Sequence, residues 1–208
     1  LLLILIISQI RLPQQEPFSI QNKKYVLLDN KSLYDPFYAS VYDELLFEPN
    51  KNAFEISEIL HFTDIKNKQV LDIGSGTGHH CDQFERQQFK CIGLDKSQAM
   101  IQKAKKNYPT LHFMQGDANQ SILYTPGQFG LITLFYFTIY YMKDKMSVFK
   151  NCYDWLDNGG YLVLHLVNKE HFDPIIPAAN PLMMVNIQDY AKTRITKSKV
   201  IFDKFEYH

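Results

Sequence analysis

The residues best suited to chemistry lie in three short segments, each closing an apolar run. In Val70-Leu71-Asp72-Ile73-Gly74-Ser75-Gly76-Thr77-Gly78 the run enters a turn with glycine at alternate positions, and a helix is predicted to open near His79. Glycine lets the backbone approach a ligand closely and tolerates positive φ, and the amides at a helix start can hydrogen-bond a carboxylate or phosphate. The run Cys91-Ile92-Gly93-Leu94 ends in Asp95, where a carboxylate can accept both hydroxyls of a ribose. The third segment is Gln115-Gly116-Asp117-Ala118. An aspartate there can accept from an adenine exocyclic amine while the next backbone amide donates to a ring nitrogen. Singly, each has an ordinary structural reading, and Asp95 caps a helix as readily as it meets a ligand. Their succession at three consecutive run ends favours a ligand site.

Spacing separates the ligands. A dinucleotide fingerprint begun at Gly74 needs glycine or alanine at position 79, where this chain has histidine, and its third glycine falls one residue early at Gly78. No Gly-Lys-Ser/Thr follows, so the turn is not a P-loop.

The elements that must position these residues are legible between positions 68 and 168. Strands are predicted at 69–73, 90–94, 111–115, 129–136 and 161–167, most of them apolar on both faces, as parallel strands covered on each side are. The segments between them are long enough for crossover helices. Over 97–108, Ser97 is the N-cap candidate, and Met100/Ala104 and Ile101/Tyr108 recur at helical spacing. Over 144–156, Met146, Phe149, Cys152 and Trp155/Leu156 form the apolar stripe, and Asn158-Gly159-Gly160 is the turn into the last strand. Right-handed βαβ units in this order predict an α/β fold, a three-layer doubly wound and mostly parallel sheet that binds ligands at the carboxyl ends of its strands. Upstream, a helix over 33–47 carries Tyr34, Tyr38 and Tyr42 one turn apart, and a second is predicted over 53–62. Tyrosines at this spacing serve core packing or clamp a ligand; the helix abuts the binding edge, and both readings stand.

The chain has 208 residues, 46% hydrophobic, 14% aromatic and 21% charged, enough for one domain with a sizeable core and unlike a disordered or collagen-like chain. Lys+Arg and Asp+Glu are 22 each, so no overall field recruits nucleic acid or anionic lipid. Three cysteines (Cys81, Cys91, Cys152) in no metal-type spacing point away from a disulfide framework and towards a reducing compartment. No His/Cys/Asp/Glu cluster has ligand spacing, so no metal is predicted. All six methionines lie at or beyond position 100, which predicts a processed or fragmentary chain. Residues 1–7 are all apolar and Ile10 extends the run, too short to span the roughly 20 residues a bilayer needs. Residues 1–10 read as the end of a membrane or signal helix, or as a docking strand. Arg11, Lys23 and Lys24 then favour a cytoplasmic location, with or without a membrane tether. Residues 11–30 read as a linker and 31–208 as the domain.

Together these segments resemble the class I S-adenosylmethionine-dependent methyltransferase family over residues 31–170. The 70–78 segment is similar to its first motif, Gly93-Leu94-Asp95 to its ribose-binding acid, Gly116-Asp117-Ala118 to its adenine step, 129–136 to its fourth strand, and Leu156-Asp157-Asn158-Gly159-Gly160-Tyr161-Leu162 to its entry to the fifth. Tyr38-Ala39-Ser40-Val41-Tyr42-Asp43 resembles an N-terminal helix of small-molecule members. The resemblance implies S-adenosylmethionine as cofactor, a Rossmann-like sheet and a small-molecule or protein side-chain acceptor. It places Gly74 and Gly76 against the methionine part, Asp95 on the ribose, and Asp117 and Ala118 on the adenine. Asp72 would orient the glycine turn or the amino group. Ser75, Gly78, Lys96, Met100 and Phe135 complete the expected contacts, with Tyr38 and Tyr42 from the lid helix. Two features depart from the pattern. Phe135-Tyr136-Phe137-Thr138 replaces the Asn/Asp-Pro-Pro-Tyr/Phe of members that methylate planar nitrogens, and disfavours such acceptors. After Val167 only 41 residues remain, with one good strand pattern at 199–207, so one closing strand is expected to be missing, leaving an exposed edge.

Acceptor-side candidates are Tyr136, Tyr140, Tyr141 and His165. Against them, His165 suits a core histidine inside a strand, and Tyr140/Tyr141 suit packing under the following helix. His79 and His80 suit plain first-turn residues. The proline-bearing stretch 168–186 reads as a substrate-covering loop or an irregular connection. Competing functions are a non-catalytic S-adenosylmethionine-binding domain and a nicotinamide-dependent oxidoreductase, the latter opposed by His79. Charge balance disfavours nucleic-acid acceptors. The sequence assigns neither an essential base nor an oligomeric state.

Overall fold

In the computed structural model, which describes residues 33–166 and the backbone of two short strands at 200–202 and 205–207, the chain enters through two capped helices. Helix α1 (Pro36–Leu46) opens on Asp35, whose carboxylate accepts from Tyr38 N at 2.8 Å, and helix α2 (Pro49–Phe62) on Glu48, which accepts from Asn50 N and Lys51 N. Proline at the first helical position of each has no amide to satisfy and its φ already suits a helix. These caps explain why α1 starts later than the predicted 33 and α2 earlier than the predicted 53.

Strands β1 (Gln69–Ile73), β2 (Lys90–Asp95), β3 (His112–Gln115), β4 (Phe129–Leu134) and β5 (Leu156–Leu164) form one parallel sheet in the order β3-β2-β1-β4-β5. The order reverses between β1 and β4, so a crevice for a ligand opens at the carboxyl end of β1. Helices α3 (His79–Arg86) and α4 (Gln98–Asn107) make the first two crossovers, and α5 (Lys145–Trp155) leads into β5.

Alternation along the strands builds two cores. Val70, Cys91, Phe113 and Leu131 pack with Ile56 of α2, Cys81 and Phe84 of α3, and Ile101 and Ala104 of α4. Leu71, Ile73, Leu94, Ile132 and Leu134 pack on the opposite face with Val148, Cys152 and Trp155 of α5. Both faces are therefore apolar and the sheet is the middle layer of three. Cys81, Cys91 and Cys152 are free and buried.

Several expectations are corrected. Strand β4 stops at Leu134, not at 136, because Tyr136 and Phe137 turn into the left-handed region at φ 45° and 64°. Asn158-Gly159-Gly160 lies inside β5, where the register shifts against β4 between Phe129 and Leu131, instead of preceding the strand. His165 falls just past β5, its amide still donating to Leu134 O at 2.9 Å. The β3–β4 connection carries a 3₁₀ turn (Ser121–Leu123) where a crossover helix was expected. On α5 the buried residues are Val148, Asn151, Cys152 and Trp155, and Met146 is 74% exposed, so the stripe is rotated from the predicted one. The 199–207 pattern divides into β6 (Val200–Phe202) and β7 (Phe205–Tyr207), which pair antiparallel with each other. The expected apolar segment at 1–10, the linker at 11–30 and the substrate-covering loop or irregular connection at 168–186 lie outside the described residues. Among the described residues no helix is long and apolar enough to cross a membrane.

Candidate functional site

The glycine turn leaves β1 and folds back on the end of β2. Gly74 N and Ser75 N both donate to Leu94 O, at 2.7 and 3.1 Å, and Gly78 N donates to Ser75 O at 3.0 Å. Gly74, Gly76 and Gly78 take φ of +76°, +53° and +92°, a path that side chains with a Cβ rarely follow. This is the physical reason for glycine at alternate positions.

Asp95 closes β2 with both carboxylate oxygens engaged. Its Oδ2 accepts from Gly76 N at 2.9 Å and its Oδ1 from Ser97 N at 2.7 Å, so one side chain ties the turn to the start of α4. Burial pushes its pKa up, against the backbone amides of Ser97, Gly76 and Lys96, which hold the charged form. On the neighbouring strand, Gly116 N donates to Asp95 O at 2.9 Å and delivers Asp117 beside it. Asp117 Oδ1 accepts from Asn119 N and Nδ2, and Oδ2 accepts from Lys96 Nζ at 2.8 Å. Its carboxyl stays below the usual range, because these donors outweigh its partial burial. The structure thus gathers Asp95, Lys96, Asp117 and the glycine turn at one edge.

Other expected site residues sit deeper. Ser75, Met100, Ala118 and Phe135 are buried. Met100 fills the first turn of α4, whose cap is Ser97 accepting from Met100 N at 3.2 Å. Ala118 O accepts from Asn151 Nδ2 of α5 at 2.8 Å. Phe135, an expected cofactor contact, stacks on His80 at 3.9 Å within the core. Asp72 is bonded away from the glycine turn: it accepts from the Thr133 hydroxyl at 2.8 Å and lies 4.0 Å from the Cys81 thiol, linking β1 to β4 and α3. Its complete burial raises its pKa.

The edge is roofed by α1 and by a 3₁₀ turn (Thr138–Tyr141). A Cβ on Gly74 would lie 2.5 Å from Thr138 Cγ2, and one on Gly76 3.9 Å from Tyr42 Cε1. Tyr34, Tyr38, Tyr42 and Tyr141 meet edge to face above the turn, with centroids 5.6–6.5 Å apart. Tyr140 and Tyr141 are part-exposed and belong to this roof, which corrects their expected place under α5. A separate cleft of about 220 Å³, lined by residues including Asp64, Lys66, Gly130 and Tyr161, opens at the amino ends of β1, β4 and β5, the end of the sheet opposite these groups.

On the acceptor side, Tyr136 donates to Asn52 Oδ1 at 3.1 Å, and Lys51 Nζ lies 3.9 Å from its ring centre. His165 is half-buried, with its ring 4.9 Å from Phe137 and 6.2 Å from Tyr136. Burial lowers the pKa of His165, and of its charged neighbours Glu55 opposes the shift while Lys51 and His80 add to it.

Two acid–histidine pairs were not foreseen. His80 Nε2 lies 2.9 Å from Glu55 Oε2 of α2, and His79 Nε2 lies 3.0 Å from Asp43 Oδ1 of α1. Asp43 also accepts from Thr77 Oγ1 at 2.5 Å and Asn107 Nδ2 at 3.1 Å. Burial works against the Asp43 charge, yet these partners hold its pKa down to about 2. With the folded value depressed, its stabilising share is complete above the ordinary aspartate range and is lost as pH falls through about 2. Both histidines stand in the first turn of α3, each with a carboxylate within 3.0 Å of its Nε2. Position 79, which a dinucleotide fingerprint needs small, holds an imidazole stacked on Phe47 at 3.5 Å. Among the described residues no group of three or more His, Cys, Asp or Glu is placed to hold a metal.

Residues 43–197 match a family model described as a methyltransferase domain, about three-quarters of the chain. The chain therefore belongs to the class I S-adenosylmethionine-dependent methyltransferases. It is 29% identical over 143 residues to the dTDP-4-amino-2,3,4,6-tetradeoxy-D-glucose N,N-dimethyltransferase of Saccharopolyspora spinosa, covering 65% of this chain and 57% of that one. It is 25% identical over 139 residues to the dTDP-3-amino-3,4,6-trideoxy-alpha-D-glucopyranose N,N-dimethyltransferase of Streptomyces venezuelae, covering 64% and 58%. The chain thus spans a little over half the length of these relatives. In fold it is similar to an amino pentose methyltransferase from Micromonospora echinaspora solved with S-adenosylmethionine bound, with a TM-score of 0.54 and 20% identity, over 73% of this chain and 62% of that one.

Proposed function

We propose that this domain transfers a methyl group from S-adenosylmethionine to a small-molecule acceptor. The observation that carries the reading is the Asp95 carboxylate, bonded to Gly76 N at 2.9 Å and set beside Asp117 at the next strand end. A carboxylate has about four acceptor positions, so Asp95 keeps acceptor capacity for a ribose hydroxyl beside the backbone amides it already holds. Lys96 is 81% exposed, so its ion pair with Asp117 is worth under about 1 kcal/mol and can yield Oδ2 to an adenine amine. Ser75 Oγ is buried in the turn with no hydrogen-bond partner, a polar atom left for a ligand or water. Thr138 packs against Gly74, while Gly76 leaves bare backbone for the methionine portion, and Tyr38 and Tyr42 supply ring faces, which attract a sulfonium.

The cofactor supplies an activated methyl that passes to the acceptor as its bond to sulfur breaks, leaving S-adenosylhomocysteine. The chain contributes position above all, worth about 7–11 kcal/mol when the reacting atoms are held in line. His165, whose pKa burial lowers, is neutral near pH 7 and suited to take a proton from the acceptor. Tyr136 keeps its proton because burial raises its pKa, and since its hydroxyl is given to Asn52 Oδ1 it can offer an acceptor only its ring. Tyr140, on the roof, is 39% exposed and open to an incoming acceptor.

The relatives named as N,N-dimethyltransferases of nucleotide-linked amino sugars make such an amine the first acceptor to try. The balanced charge fits a small molecule better than nucleic acid, and three free cysteines fit a cytoplasmic setting. The test is release of S-adenosylhomocysteine across a panel of amine, hydroxyl and carboxylate acceptors, with turnover expected for an amino sugar. Binding without turnover on any acceptor would assign the domain to non-catalytic cofactor binding.

A further inference from the structure

We propose that Asp43 is a positioning residue, the latch that clamps the tyrosine-bearing helix α1 over the glycine turn; the inference rests on the cofactor reading above. One carboxylate reaches three elements. Oδ1 takes the Thr77 hydroxyl of the turn at 2.5 Å and lies 3.0 Å from His79 Nε2, which opens α3. Oδ2 takes Asn107 Nδ2 at 3.1 Å and lies 3.6 Å from Lys103 Nζ, both on α4. Asn107 also donates to Thr77 O at 3.2 Å, so the latch and the turn share a partner.

Tyr42 immediately precedes Asp43. Successive helical residues are about 100° apart, so α1 can direct the Tyr42 ring at Gly76 and the Asp43 carboxylate down between α3 and α4. The histidine partner is braced by two further residues. Phe47, the C-cap of α1, stacks on the His79 ring at 3.5 Å, and the Tyr108 hydroxyl lies 2.5 Å from Nδ1. At the other end of the lid, the Ser97 hydroxyl donates to Tyr34 O at 2.6 Å, beside the Asp95 cap.

Helix α1 is 11 residues long, a length at which isolated helices are marginal, and its buried residue is Ala39. The rings of Tyr38, Tyr42 and Phe47 add edge-to-face and stacking contacts, and Asp43 concentrates its polar contacts with the turn, α3 and α4. Loss of the carboxylate charge frees the lid without touching the sheet that forms the floor of the site.

The test compares wild type with Asp43→Asn and Asn107→Ala by amide hydrogen exchange without ligand and by calorimetric titration with S-adenosylhomocysteine. For Asp43→Asn, exchange across α1 is expected to speed up about tenfold or more while β1 and β2 keep their protection, and ligand Kd to rise about tenfold. Asn107→Ala, which leaves the charge in place, is expected to give a change in the same direction of about threefold. Asp43→Glu should recover part of the loss. Unchanged α1 exchange in both Asp43→Asn and Asn107→Ala overturns the latch, as does an equal rise in exchange through the whole sheet. Failure of the folded wild type to bind S-adenosylhomocysteine strikes the cofactor reading, while the exchange comparison still judges the latch.

Discussion

Replacing Asp95 with alanine is expected to weaken S-adenosylhomocysteine binding by about 10- to 100-fold. The side chain does two things at once. Its Oδ2 fixes Gly76 N at 2.9 Å and its Oδ1 fixes Ser97 N at 2.7 Å, and in the proposed complex the remaining acceptor positions meet the ribose hydroxyls. Removing it leaves backbone amides and ribose hydroxyls short of an acceptor, a penalty of about 1–3 kcal/mol, which is one to two decades in Kd. Asp95→Asn, which keeps one oxygen acceptor, should fall between. Because burial raises the Asp95 pKa, affinity should also decline at a higher pH on acidification than an ordinary aspartate would give. Calorimetric titration checks all three, and equal affinity of wild type and Asp95→Ala would remove Asp95 from the site.

The second large effect is on the fold. A Cβ on Gly130 would lie 2.0 Å from Asn67 O and 2.9 Å from Asn67 C, a clash with backbone that no rotamer change relieves. Asn67 is itself fixed, donating from Nδ2 to Gln128 O at 3.1 Å and accepting from Gln69 N at 3.2 Å. Gly130→Ala must therefore push the start of β4 away from the chain entering β1. A cost of about 3 kcal/mol is expected, the upper range for overpacking, which for a domain of this size lowers Tm by roughly 6–12 °C. Thermal and urea unfolding measure it, and a loss below about 1 kcal/mol would contradict this approach of β4 to Asn67.

The central sheet was legible because parallel strands covered on both faces must be apolar throughout. The runs ending at Ile73 and Asp95 carry that signal, while the edge strand β3 is buried only at Phe113, and the glycine turn between β1 and α3 marks the first crossover. What local pattern did not carry is long-range pairing. The contacts of Asp43 with Thr77, His79 and Asn107 join residues 34 to 64 positions apart, and nothing in the spacing of either partner announces the other. The end of β4 was missed for a different reason. Phe135-Tyr136-Phe137 looks like more strand, because aromatics favour strands, yet the turn over Gly74 bends Tyr136 and Phe137 to positive φ. Met146 misled through size alone: it fits the apolar stripe of α5 by type, but Val148 and Asn151 are the residues that face inward. Asp72 shows the opposite case, recognised as part of the motif but bonded to Thr133 rather than to the turn.

The most direct measurement is calorimetric titration of the folded wild-type chain with S-adenosylhomocysteine and, separately, with NADH. Saturable binding of the sulfur nucleoside at a single site, with no heat from NADH, is the expected result. A chain that melts cooperatively yet binds NADH, or binds neither ligand, would contradict the assignment of the Asp95–glycine-turn edge to S-adenosylmethionine.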